Sequence, residues 1–251
     1  MKRLKLILTS IFFTLVAFAL YSVFSPSEKE LAYVIEMTES VQDAHFKTIL
    51  GHLMGPPFVE GNSVKTLLNG EQIFPAMLKA ISSAQKSITF ESYIYWSGNV
   101  GGQFVEALID RAQHGVKVHI LLDWAGSEKI KEDYISRMKQ AGIEVERYHE
   151  LAWYNISRLN NRTHRKILVI DGEVGFTGGV GIADEWDGNG LDPKKWRDTH
   201  YEIRGPVVAQ MQSAFFDNWM KVRPEIHHSV AYFPNPGTVK KENTATAQCC
   251  F

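Results

Sequence analysis

Cysteine is almost missing. Of 251 residues only Cys249 and Cys250 carry a thiol, and both stand at the extreme C-terminus. The body of the chain therefore has no disulfide framework and no thiolate metal site, which fits a reducing compartment or an exported bacterial domain that does without disulfides. An excess of one charge is lacking too. Twenty-seven Lys and Arg face 28 Asp and Glu, a formal net charge of -1, so no global field recruits nucleic acid and any anion site must be local. No internal repeat is visible. What remains is ordinary globular material: 45% hydrophobic residues in a chain long enough for one large domain or two small ones, with a sizeable core.

The N-terminus carries the first positive signal. Lys2, Arg3 and Lys5 precede an uncharged, mostly apolar run from Leu6 to Phe24. Nineteen residues rising about 1.5 Å each span roughly 28 Å, close to a bilayer core. Ala17-Phe18-Ala19 resembles a cleavage triplet but lies inside the apolar run, so residues 1–25 are expected to be an uncleaved anchor rather than a cleaved signal or a buried helix. The preceding positive charges predict an N-in orientation, with the domain on the outer face of a bacterial inner or plasma membrane. Residues 26–60 are expected to connect, with a short helix from Ser27 through Leu31, Val34 and Ile35, until Gly55-Pro56-Pro57 ends it.

The domain proper is expected over 61–233. Gly61-Asn62 and Asn69-Gly70 around Val64–Leu68 predict a short hairpin, and Pro75 predicts the first turn of a helix reaching about Ala84. Ser87–Tyr95, Val116–Leu122, Ile143–Arg147, Lys166–Ile170, Val174–Thr177 and His200–Ile203 read as strands. Helical spacing appears at Phe104, Leu108 and Ala112 and at Val208, Met211, Phe215 and Trp219. It appears again at Ile130, Tyr134 and Met138, with Ser127 as the expected cap. Asp171-Gly172 is a hairpin signal. The fold class is therefore α/β, a mixed sheet flanked by helices on both faces. Residues 234–251 read as a polar, disordered tail.

The chain is organised around His164-Arg165-Lys166-Ile167-Leu168-Val169-Ile170-Asp171, with Gly178-Gly179 following. Strand alternation puts His164, Lys166 and Leu168 on one face and Arg165, Ile167 and Val169 on the other. An imidazole that works near neutral pH beside a compact cation points to phosphate chemistry. Asp171 has the other parity and sits at a turn. It closes the motif as a candidate of the site, but its position predicts a structural part.

His164-x-Lys166-x4-Asp171 with Gly178-Gly179 resembles the HKD motif of the phospholipase D superfamily. Thr89–Tyr95, Phe176–Gly179, Ile182–Glu185 and Trp196–His200 are similar to its bacterial cardiolipin synthase-like branch, over roughly Asn62–Tyr232. The resemblance implies an α/β/α sandwich and metal-free, cofactor-free phosphodiester transfer or hydrolysis on phospholipid. In that chemistry one histidine attacks phosphorus and forms a phosphohistidine, while a second protonates the leaving alcohol and then activates the acceptor. It implies further that His164 is that nucleophile or acid, that Lys166 holds the non-bridging oxygens, and that Asp198 orients the motif histidine. Gly178 and Gly179 would let backbone approach the phosphate. Asp198 stays open between that role and a salt bridge to Arg197 or Arg204. Glu91, at a recurrent family position, stays open between phosphate binding and a core hydrogen bond. Tyr93, Tyr95, Trp96 and Trp124 are pocket or wall. Arg158, Arg162 and Arg165 are a basic rim for anionic headgroups or a solvated loop.

Two departures stand out. Gly181 occupies a position where the family usually has Asn. The full-length family pattern has two HKD motifs, whereas this chain has one, the N-terminal one; no Lys-x4-Asp follows His227 and His228. Three expectations follow. A second copy of the chain completes the site in a membrane-held phospholipid enzyme; or the chain is a catalytically incomplete half; or the substrate is a nucleic acid, which the anchor and the charge balance disfavour.

Overall fold

The computed structural model of the protein describes residues 2–24, 40, 42, 44–148, 162–225, 229–235 and 245–249. In chain order these form α1 (Lys2–Phe24), α2 (Ala44–Met54), β1 (Val59–Leu68), α3 (Asn69–Ser83), β2 (Ser87–Ser92), α4 (Asn99–Gln113), β3 (Lys117–Asp123) and α5 (Glu132–Gln140). There follow β4 (Glu144–Tyr148), β5 (Ile167–Ile170), β6 (Val174–Gly178), a 3-10 turn (Asp184–Trp186), β7 (Thr199–Arg204), α6 (Val208–Val222) and β8 (Ala245–Ala247). All eight strands join one sheet in the order β4–β3–β2–β5–β6–β7–β1–β8. β2, β3 and β4 are parallel and the remaining pairings are antiparallel, so the sheet is mixed.

The core divides by strand parity. Phe90, Ile120, Leu122, Leu168 and Phe176 point to the layer of α3, α4 and α5, where Ile73, Phe104, Leu108 and Met138 meet them. Leu121, Ile167, Val169 and Ile203 point the other way, to Met211, Phe215 and Trp219 of α6. Phe104 and Trp219 are fully buried, and truncating such an aromatic to alanine costs about 3–5 kcal/mol. α1 is long and apolar enough to cross a membrane, and its stretch Lys2–Ser22 is not buried against the rest of the described chain.

Four local expectations are corrected. Gly61-Asn62 does not turn the chain: β1 runs through it with a register shift between Val59 and Asn62. The Asn62 amide instead donates to Val59 C=O (2.7 Å) and accepts from Val207 N–H (2.8 Å), which clamps the corner into α6. Pro75 lies inside α3 rather than at its start. The first turn is held from outside, by Asn69 N–H to Asp198 C=O and Glu71 N–H to Gly188 C=O, both 2.9 Å. Ser127 caps no helix; its hydroxyl donates to Asp123 C=O, and α5 starts at Glu132. Part of the tail is ordered along β1, with Ala247 opposite Val59 and Ala245 opposite Asn62. The helix expected from Ser27 falls outside the described residues, as do Arg158, His227 and His228. α2 ends at Met54, and Gly55 takes a positive φ of 101°.

Asp171 and Gly172, with φ of 54° and 69°, make the tight turn between β5 and β6, closed by Glu173 N–H to Ile170 C=O at 2.9 Å. Two consecutive positive φ values are what a right-twisted hairpin requires, and Asp and Gly tolerate them best.

Candidate active site

One edge of the sheet gathers the chemistry. The C-terminal ends of β2, β3, β6 and β1 lie there with the entries to β5 and β7, because Glu91 pairs with Ile167, Gly178 with His200 and Leu68 with Thr199. The segment entering β5 is fastened on alternate residues. Thr163 N–H donates to Asp123 Oδ2 (2.9 Å) and its hydroxyl to Glu91 Oε1. Arg165 Nη1 donates to Ala214 C=O (2.8 Å) and to Asp217 Oδ2 (3.2 Å) on α6. With 163 and 165 turned toward α6, His164 and Lys166 turn to the open side.

Lys166 Nζ donates to His164 C=O (2.9 Å) and lies 3.1 Å from His164 Nε2. An ammonium has only donors, so Nε2 accepts and the imidazole proton sits on Nδ1. The Tyr93 ring backs both, 4.8 Å from the His164 ring and 5.4 Å from the ammonium. Desolvation and the Lys166 charge hold His164 below the ordinary histidine range, against a smaller opposing pull from Asp123. Burial brings Lys166 down to about 8, partly offset by Asp198. Near neutral pH the pair is therefore a neutral imidazole beside an ammonium. Such a pair can attack an electropositive phosphorus while neutralising its oxygens.

Gly178 and Gly179 border this pair. A Cβ on Gly178 would stand 2.5 Å from Thr199 C=O and 2.6 Å from His200 Nδ1, and one on Gly179 would stand 2.2 Å from Asp198 Oδ1. The closeness is required by β7, not only by an incoming phosphate. Asp198 accepts from Trp186 Nε1 (3.0 Å) and Thr199 N–H (2.7 Å); among the described residues no hydrogen bond joins it to His164. Nor does it pair with Arg197 or Arg204, whose guanidinium takes Glu202 instead.

Two candidates stand elsewhere. Asp171 is at the far end of β5, where its carboxylate accepts the backbone N–H groups of Gln85, Lys86 and Ser87 at 2.7–3.2 Å. Four strand residues separate it from His164's edge, so it cannot touch a phosphate there; it ties α3 to β2. Glu91 is 0% exposed on the α6 face, with Oε1 accepting from Thr163 and from Asn218 Nδ2 (2.8 Å). Its Oε2 is buried without a partner. Burial raises its carboxyl from 4.5 to about 7, against hydrogen bonds from Thr163 and Asn218. Glu91 supports Thr163 from below and reaches no substrate face.

Sequence reasoning passed over the supporting groups Thr163, Asp123, Asn218 and Trp186, and also His200. His200 is 1% exposed, and burial, then the Lys166 charge, lowers it to about 3. Its signal was present, since it closes the Trp196–His200 stretch. Gly181 is explained by space: a Cβ there would lie 2.8 Å from Ile94 Cβ and 3.1 Å from Trp186. Of the aromatics, Tyr95 is core, donating to Gly101 C=O at 3.0 Å, while Trp124 lies under the Arg162 guanidinium at 4.5 Å.

Residues 77–218 match the family described as cardiolipin synthase, PLD-like domain. Cardiolipin synthase 1 of Bacillus cereus is 35% identical over 193 residues, 76% of this chain and 37% of that protein. Cardiolipin synthase A of Pseudomonas aeruginosa is 38% identical over 164 residues, 65% of this chain and 34% of that one. The chain thus spans about a third of the length of these curated relatives. Among solved structures, a phospholipase D family member, Nuc from Salmonella typhimurium, superposes with a TM-score of 0.50 at 20% identity. The match covers 64% of this chain and 97% of that one.

Proposed function

Because this chain belongs to the cardiolipin synthase-like, phospholipase D-like family, we propose that it carries one half of a site for phosphodiester transfer or hydrolysis on phospholipid, completed by a second copy of the chain. The observation that carries this is the neutral His164 imidazole held 3.1 Å from the Lys166 ammonium at the open sheet edge. His164 Nε2 forms the bond to phosphorus as the bond to the leaving alcohol breaks, giving a phosphohistidine. The alcohol oxygen takes a proton from the partner copy's histidine. The attacking histidine starts neutral, whereas the partner copy's histidine enters the step as the imidazolium and leaves it neutral. That histidine then removes a proton from water or an acceptor alcohol, whose oxygen displaces His164. Lys166 moves from Nε2 to the non-bridging oxygens, which gain charge in each transition state. Gly178 and Gly179 leave room for them. Asp198 acts on Lys166 by its charge. No metal or cofactor enters these steps. Residues 1–25 anchor the chain N-in, with the domain outside the cytoplasm.

That the match covers only about a third of these relatives favours one second reading, a folded half-site that binds phosphodiester without turnover. Full-length chain in phosphatidylglycerol vesicles separates the two. Chelator-insensitive headgroup release, second order in chain and abolished by His164→Ala, supports the enzyme. Activity that survives His164→Ala refutes the nucleophile. Turnover by a strict monomer in light scattering refutes the shared site.

A further inference from the structure

Beside the His164 pair stands a cation that the chemistry above does not use. The Arg162 guanidinium lies over the Trp124 ring, 4.5 Å from its centre. Its Nη1 is sealed from solvent and has no hydrogen-bond partner. No ion pair to it occurs among the described residues. The neighbouring acids are taken. Asp123 Oδ1 accepts from Ala125 and Gly126 N–H, and Oδ2 from Thr163 N–H. Glu91 is buried on the α6 face with Asn218. The other cations of the segment have acceptors, Arg165 on Ala214 and Asp217 and Lys166 on His164. Arg162 as a whole is only half-buried, so the guanidinium is reachable although Nη1 is sealed. A charged donor without an acceptor is costly; this guanidinium is built for an anion that comes from outside. Stacking fixes its plane and leaves the fork of N–H groups to planar or tetrahedral oxyanions.

Its position gives the anion a context. Residues 162, 164 and 166 share parity, and 163 and 165 are fastened toward α6. Arg162 therefore reaches the sheet edge of His164, about 7 Å of extended chain away. Tyr93, under His164, follows β2, and Trp124, under Arg162, follows β3; these strands are neighbours, about 4.8 Å apart. Two aromatic-backed groups for anions thus lie side by side.

We propose that Arg162 on Trp124 is a second phosphate subsite, which holds a phosphate group presented next to the phosphodiester at His164, as in an acceptor headgroup carrying its own phosphate. This rests on the reading of His164 and Lys166 as the phosphodiester site. The test is calorimetric binding to the full chain in neutral detergent, which needs no turnover. Glycerol 1,3-bisphosphate is expected to bind at least about tenfold more tightly than glycerol 1-phosphate. Arg162→Gln is expected to erase that preference, and Arg162→Lys to keep part of it. Lys166→Ala weakens both ligands and leaves the ratio above one. Inorganic phosphate added to glycerol 1-phosphate distinguishes the sources. If it fills an Arg162-dependent site as tightly as the tethered group does, the subsite takes free phosphate; if it does not, the subsite takes a headgroup. Equal binding of the two glycerol phosphates by the wild type, or a ratio unchanged in Arg162→Gln, overturns the proposal. The second result leaves the phosphodiester reading intact. Absence of headgroup release from vesicles with the ratio present would instead count against turnover alone.

Discussion

Glu91→Gln isolates a buried carboxyl whose ionisation the fold opposes. The carboxyl is fully buried, one oxygen accepts from Thr163 and Asn218, and the other has no partner. Its folded pKa is raised from 4.5 to about 7. The folded state therefore binds more protons than the unfolded state between these values, so stability falls as pH rises through the window. At about 1.36 kcal/mol for each pH unit, the rise from 4.5 to about 7 amounts to about 3 kcal/mol lost between pH 4.5 and 8. Glutamine keeps the acceptor for Thr163 and Asn218 and carries no charge. Its amide N–H meets the same partnerless spot as the acid O–H, so that cost cancels at low pH. Urea melts of both proteins in neutral detergent are expected to agree near pH 4.5. They diverge until Glu91→Gln is the more stable by about 3 kcal/mol at pH 8, roughly 6–12 °C in melting temperature. Two stability curves that run parallel across the window would refute the reasoning.

Other outcomes follow from the same geometry. Turnover is expected to be bell-shaped, falling in acid as the attacking His164 protonates and in alkali as the partner copy's histidine and then, around pH 8, Lys166 lose their protons; a pH–rate profile checks it. Asp198→Asn removes the charge that props Lys166 up, so the alkaline limb moves to lower pH in the same assay. Gly179→Ala forces a methyl into the Asp198 carboxylate, and headgroup release is expected to fall at least about tenfold while far-UV circular dichroism is unchanged. Asp171→Ala strips the acceptor from three backbone N–H groups and costs about 2 kcal/mol of stability in denaturation. The pH–rate profile of the protein that remains folded stays as it was.

Much of this was legible in the residues because strand parity is a strict rule. Alternation alone put His164 and Lys166 together and set Asp171 apart, and the strands and α6 lie close to where the apolar spacing predicts them. Short polar signals misled. Gly61-Asn62 reads as a turn in isolation, yet Asn62 is spent on Val59 and Val207, a partner 145 residues away. Pro75 reads as a helix start, but contacts from Gly188 and Asp198 add a turn before it. Glu91 stays open in the residues between phosphate binding and a core hydrogen bond, and the structure gives it the core hydrogen bonds. Only the sheet shows that its parity, unlike that of His164, leads to α6.

That difference explains the division of labour at the edge. A nucleophile needs a lone pair that can be released, as Lys166 releases that of His164, and cannot be gripped by fixed neighbours. The chain meets both demands by gripping residues 163 and 165, with Asp123, Glu91, Asn218 and Asp217 as the hold, and leaving 164 to chemistry. Arg162 continues the pattern by one step, released from α6 and backed by Trp124. If alternation is what exposes these groups, replacing Thr163 should disturb all of them together. Thr163→Val keeps the shape and loses the hydroxyl that meets Glu91. His164 and Arg162 then lose a common anchor. The expected result is a parallel weakening of glycerol 1-phosphate and of the bisphosphate advantage, each by about threefold to tenfold for one buried hydrogen bond. A change confined to one of the two would mean that each cation is held by its own aromatic, and that the fastened strand entry does not couple them.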